Sequence, residues 1–87
     1  MISVILPTYN EAENIKVIVP KIFSVLKESS LEGEIIVIDD NSPDGTAAVA
    51  MELVRGNPLT VYVRKNERGL ATAVMKGFEI ASGDVYV

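Results

Sequence analysis

Short, nearly continuous apolar runs alternate along this chain with polar turns and with longer stretches of helical periodicity. Ile2 to Leu6 is apolar apart from Ser3 and is stopped by Pro7, and Ile35 to Ile38 is apolar up to Asp39. Thr60 to Val63 is a short β-branched run, and Asp84 to Val87 begins a fourth. Runs that are continuous, not alternating, mark strands buried on both faces. Between the first two, Ile15, Ile18, Val19, Ile22, Val25 and Leu26 recur at helical spacing. Asn10 stands where it would cap this helix with Glu13 three residues on, and Pro20 is expected to kink or restart it. A second helix is predicted from Thr46 to about Val54, ended by Gly56 and Pro58. Leu70, Ala73, Val74, Gly77, Phe78 and Ala81 form the stripe of a third, with Ser82-Gly83 as its stop. The order βαβαβαβ predicts an α/β fold: a parallel sheet with helices on both faces, Rossmann-like, its strands joined by right-handed crossovers.

Composition narrows the chemistry. With 87 residues and 48% of them hydrophobic, the chain can form one core at most. A net charge of -4 leaves no broad basic face for a nucleic-acid backbone, so nucleic acid is not an expected partner. The absence of Cys and His removes disulfides, thiolate and imidazole metal ligands, and Ser-His-Asp triads together. Chemistry is left to carboxylates, hydroxyls, Lys, Arg and the backbone. No apolar run is long enough to cross a bilayer and no basic flank or cleavage site opens the chain, which reads as intracellular, with any membrane contact made by parts outside it. Because the chain ends inside an apolar run, where a bare strand edge would be exposed, it is read as a fragment.

In open parallel sheets ligands bind beyond the C-terminal ends of the strands, and three polar loops are expected there. The first, Pro7-Thr8-Tyr9-Asn10-Glu11, lacks the G-x-G-x-x-G of a dinucleotide site. It offers instead an aromatic face at Tyr9, suited to stacking on a base, and a carboxylate at Glu11, suited to ribose hydroxyls or ring N–H donors; taken alone, this loop reads equally as a half-buried turn tyrosine followed by a helix cap over residues 10–13. The second, Asp39 to Gly45, places two carboxylates on opposite sides of a strand end. Asp39 is expected to face the crevice, with Val37 flanking the same flat base, and Asp40 to be tied to backbone N–H groups of the turn. Spacing alone equally allows two solvated turn carboxylates. The clustered acids Glu11, Asp39, Asp40 and Asp44 would repel a bare diphosphate, so Lys65 and Arg68 of the third loop are the candidates for its charged end; an ordinary solvated loop is the other reading.

Pro7-Thr8-Tyr9-Asn10-Glu11 and Asp39-Asp40-Asn41-Ser42-Pro43-Asp44-Gly45 resemble the opening motifs of the inverting family 2 glycosyltransferases of GT-A fold. With Thr46 and the segment Gly69-Leu70-Ala71-Thr72-Ala73, the likeness is greatest to that family's dolichyl-phosphate mannose synthase branch, and it covers essentially the whole chain. The resemblance implies mannosyl transfer from GDP-mannose to a polyprenyl phosphate, with inversion and with Mg or Mn. It implies a nucleotide site lined by Pro7, Tyr9, Glu11, Val37 and Asp39. Residues 1–87 would be the nucleotide-sugar-binding, N-terminal half of a single GT-A domain, with the D-x-D metal ligands a few residues beyond Val87. The isolated chain would then be inactive, and the full-length protein membrane-associated on the cytoplasmic side. Ala71 departs from relatives that carry a second glycine there. A UDP-glucose-using relative is the alternative within the class, because one carboxylate does not distinguish uracil from guanine. A non-catalytic binding or interaction fragment is the alternative outside it; a receiver-like module fits poorly, since Pro-Thr-Tyr-Asn-Glu and Arg-Lys stand where its acidic pair and phosphoacceptor would be.

Overall fold

A computed structural model describes residues 1–65, 69–81, 83 and 85–86. Strands β1 (Ile2–Thr8), β2 (Gly33–Asp39), β3 (Leu59–Val63) and β4 (Val85–Tyr86) alternate with helices α1 (Ala12–Glu28), α2 (Thr46–Glu52) and α3 (Leu70–Ile80). All pairings are parallel and the spatial order is β3-β2-β1-β4. The chain therefore winds outward from β1 to β3 and returns across it to β4, which makes β1 and β4 flank the point where strand order reverses.

Alternation along the strands divides the core in two. Ile35 and Val37 of β2, with Val4, Leu6 and Val61 beside them, pack against Ile15 and Val19 of α1 and Ala50 of α2. On the opposite face Ile5, Ile36 and Ile38 pack against Ala73 of α3. The expected α/β sheet with helices on both faces is what forms.

Several local expectations give way to tertiary context. Pro7 does not end β1, which continues to Thr8. The Thr8 carbonyl accepts from Asp40 N–H, so alternation turns the Pro7 nitrogen to the opposite edge, beyond the short pairing of Ile2 and Ser3 with β4. A missing N–H costs no ladder bond there. Pro20 likewise sits within an uninterrupted α1, on its exposed side, where water can serve the carbonyl that loses its helical partner. Ile18 and Val25 lie outside the buried stripe, which runs through Ile15, Val19 and Leu26.

Asn10 is not the cap of α1. It adopts a left-handed backbone (φ 55°), the N-cap position falls to Glu11, and neither local side chain caps the helix. The amides of Asn10, Glu11 and Ala12 donate instead to Ser42 Oγ, Thr46 Oγ1 and Asp44 Oδ2 of the β2–α2 loop.

Candidate active site at the strand ends

Register places Thr8 beside Asp39 at the C-terminal end of the sheet. Both are buried, and Thr8 Oγ1 donates to Asp39 Oδ1 at 2.7 Å. Ser42 completes the site of the carboxylate: its hydroxyl donates to Oδ1 at 2.6 Å and its N–H to Oδ2 at 2.9 Å. Asp39 is 0% exposed, so its acceptor positions are spent on the protein itself.

Asp40, one residue on, points to the α3 side. There it meets Arg64, which is 4% exposed. Arg64 Nε donates to Asp40 Oδ1 at 2.7 Å, Nη1 to Thr72 Oγ1 at 2.7 Å and Nη2 to the Gly69 carbonyl at 2.9 Å. Gly69 N–H lies 3.4 Å from Asp40 Oδ2. A planar guanidinium with forked donors can serve the ends of β2 and β3 and the start of α3 at once. Gly69 has φ 119°, a conformation that favours glycine, so the chain can turn there into the helix.

The two neighbouring carboxylates thus divide between opposite faces as expected, but it is Asp39, not Asp40, that accepts from the Ser42 N–H of the turn. Asp39 ties the turn, and Asp40 forms the ion pair with Arg64. The reason is the register: Thr8 and the returning Ser42 enclose the α1/α2 side of the strand end, while the other side meets Arg64. Val37 is also 0% exposed, packed among Ile15, Val19 and Ala50. The exposed flank for a flat base expected from the Val37 and Asp39 side chains is not formed.

Pro7 and Glu11 lie nearer to solvent. They line a groove of about 480 Å³ between the end of β1 and α1, which includes Leu6, Thr8, Ile18 and Lys21 and does not reach Tyr9, Val37 or Asp39. Glu11 Oε2 accepts from Asn14 Nδ2 at 2.6 Å. Tyr9 is 44% exposed at the tip of the same turn. Lys65 is exposed after β3, and Arg68 lies outside the described residues.

Asp44 accepts from the Thr46 hydroxyl, from Thr46 N–H at 3.0 Å and from Ala12 N–H at 3.2 Å. The Thr46 hydroxyl chiefly, and the two amides after it, hold the Asp44 carboxyl below its ordinary value against a smaller opposing effect of desolvation. Sequence reasoning passed over Thr8, Ser42, Thr46, Arg64 and Thr72 as individual contributors. Dense turn chemistry after β2 was the one signal that could have drawn attention to Ser42 and Thr46. Among the described residues no three carboxylates gather in a way that could hold a metal ion.

The arrangement is a parallel α/β sheet whose described strand-end loops are joined to one another by hydrogen bonds, with Tyr9 and Glu11 on the first of them. Residues 3–87 match the model of Glycosyl transferase family 2, and the chain belongs to that family. It is 48% identical over 86 residues to a dolichol-phosphate mannosyltransferase of Pyrococcus furiosus, covering 99% of this chain and 24% of that protein. It is 41% identical over 87 residues to a dolichol-phosphate mannosyltransferase of Saccharomyces cerevisiae, covering 98% of this chain and 33% of that protein. The chain therefore spans about a quarter to a third of the length of these relatives. A mannosyltransferase from Pyrobaculum calidifontis, solved in complex with GDP-Man and Mn2+, superposes with a TM-score of 0.76 at 28% identity, over 98% of this chain and 25% of its own.

Proposed function

We propose that this chain forms the nucleotide-binding part of a glycosyltransferase that transfers mannose from GDP-mannose to a polyprenyl phosphate such as dolichyl phosphate, with inversion at the anomeric carbon. The observation that carries the reading is near-complete coverage of the chain, at 48% and 41% identity, by two proteins named dolichol-phosphate mannosyltransferase. The geometry agrees with it: Tyr9 and Glu11 stand on a turn fixed to the adjoining loop, at the strand ends where α/β sheets bind nucleotides. Tyr9 stacks on the base, Glu11 accepts from ribose or ring donors, and Pro7 shapes the edge of the groove. Val37 and Asp39 contribute from beneath, Val37 by filling the core and Asp39 by holding Thr8 and Ser42 in place. Lys65 and Arg68 meet the diphosphate.

A divalent cation, Mn or Mg, is proposed for the whole enzyme, in keeping with the Mn2+ of the Pyrobaculum protein. The described strand-end aspartates do not fit that role: Asp39 is engaged by Thr8 and Ser42, Asp40 by Arg64, and Asp44 by Thr46 and Ala12, and no three described carboxylates gather to hold an ion. Its ligands are assigned to a D-x-D segment following Val87. No helix among the described residues is long and apolar enough to cross a membrane. Contact with the lipid acceptor, on the cytoplasmic side, is assigned to parts outside this chain.

The test is transfer by the enzyme carrying this sequence, given radiolabelled GDP-mannose, a polyprenyl phosphate and Mn2+ or Mg2+. Lipid-linked mannose, inhibited by GDP more strongly than by UDP, is the expected product. Transfer of glucose from UDP-glucose in its place would overturn the donor assignment.

A further inference from the structure

The amides that open α1 find their acceptors in a different loop. Asn10 N–H donates to Ser42 Oγ at 2.9 Å, Glu11 N–H to Thr46 Oγ1 at 3.0 Å and Ala12 N–H to Asp44 Oδ2 at 3.2 Å. A helix start leaves such donors without intrahelical partners, and a side chain of the same turn usually accepts from one of them. Here the Glu11 carboxylate is turned to Asn14, and acceptors more than thirty residues away in sequence take that part. Each acceptor is fixed in turn: Ser42 by Asp39, and Thr46 by Asp44 through both its hydroxyl and its N–H. Thr46 is 0% exposed, so it has no surface to offer a ligand.

We infer that Thr46 and Ser42 are positioning residues of the nucleotide site, holding the backbone of residues 9–12 so that Tyr9 and Glu11 stand ready before the nucleotide arrives. This rests on Tyr9 and Glu11 meeting the nucleotide. Binding to a turn that must first be ordered is weakened by the cost of ordering it, and a turn fixed in advance avoids that cost. The hydroxyl of Thr46 is the central element, because it accepts from the Glu11 amide and donates to Asp44 at the same time.

Thr46→Val keeps the shape of the side chain and removes the hydroxyl, while Thr46→Ser restores it. In the enzyme carrying this sequence, hydrogen exchange at the Glu11 amide should quicken in Thr46→Val and recover in Thr46→Ser. Measured by calorimetry at a temperature where melting curves show the variant folded, the GDP dissociation constant should rise about tenfold in Thr46→Val and return to within about twofold in Thr46→Ser. Ser42→Ala, which deprives the Asn10 amide, should raise it by about threefold and decides the matter if Thr46→Val does not fold. Unchanged GDP affinity in the folded variant overturns the positioning role, even if its melting temperature falls. An unaltered enzyme that binds no GDP overturns the nucleotide reading itself, and the inference with it.

Discussion

Asp39 is a carboxylate with no solvent exposure whose acceptors serve two hydroxyls and an amide. Removing it leaves buried donors without partners, which costs more than the bonds themselves contribute. Asp39→Ala is expected to lower stability by about 2 to 3 kcal/mol in urea melts. Asp39→Asn retains an acceptor for Ser42 N–H and can donate to the hydroxyls, so its loss should be smaller, about 1 kcal/mol. Asp44 gives a pH signature. Its folded carboxyl titrates below its ordinary value, held there chiefly by the Thr46 hydroxyl, so the folded state favours the charged form. The stability it contributes is complete above the unfolded value and is lost as pH falls through the lowered folded one. Denaturant melts of the unaltered chain and of Asp44→Asn should differ by a constant amount from pH 7 down to about 5, then converge as acid protonates Asp44 in both states.

Two contacts decide how α3 meets the sheet. A Cβ at Gly77 would lie 2.5 Å from Ile5 Cγ2, a branched atom fixed on β1, so glycine here sets the closeness of helix and strand. Gly77→Ala gains helix propensity of about 1 kcal/mol and meets overpacking of about 1 to 3 kcal/mol. A net loss is expected, and a double-mutant cycle with Ile5→Ala should show the alanine better tolerated once Ile5 is cut back. At the other end of α3, Arg64→Ala would leave Asp40 beside a vacated buried site and should cost about 3 kcal/mol. Arg64→Lys should recover little of it, because one ammonium cannot replace donors spread over Asp40, Thr72 and Gly69. Chemical denaturation of both variants checks this.

Among the described residues the strand-end aspartates Asp39, Asp40 and Asp44 are occupied by protein donors, so the 87-residue chain by itself should gain no stability from divalent metal. Melting curves with Mn2+ and with a chelator are expected to coincide; a clear upward shift with Mn2+ would place a metal site within these residues. The sheet itself was legible in the sequence. Ile35 to Ile38 and Ile2 to Leu6 are continuous apolar runs because both faces of a parallel strand are covered, and the helical stripes between them require crossovers. Tyr9 and Glu11 were legible only as candidates: an aromatic ring and a carboxylate stand together in a loop after a buried strand, a pattern that an ordinary turn leading into a helix cap also produces. The opposite directions of Asp39 and Asp40 also followed from strand alternation alone. Which of them would be buried did not. That depended on Thr8 standing beside Asp39 in register, on Ser42 folding back over it, and on Arg64 arriving from β3. The cap of α1 was likewise invisible, since local sequence offered Asn10 while the acceptors came from Ser42, Asp44 and Thr46. Periodicity is a local property that the chain carries in its order of residues. A buried polar group is satisfied by whichever partner the completed packing brings within about 3 Å, and only the tertiary structure makes that choice.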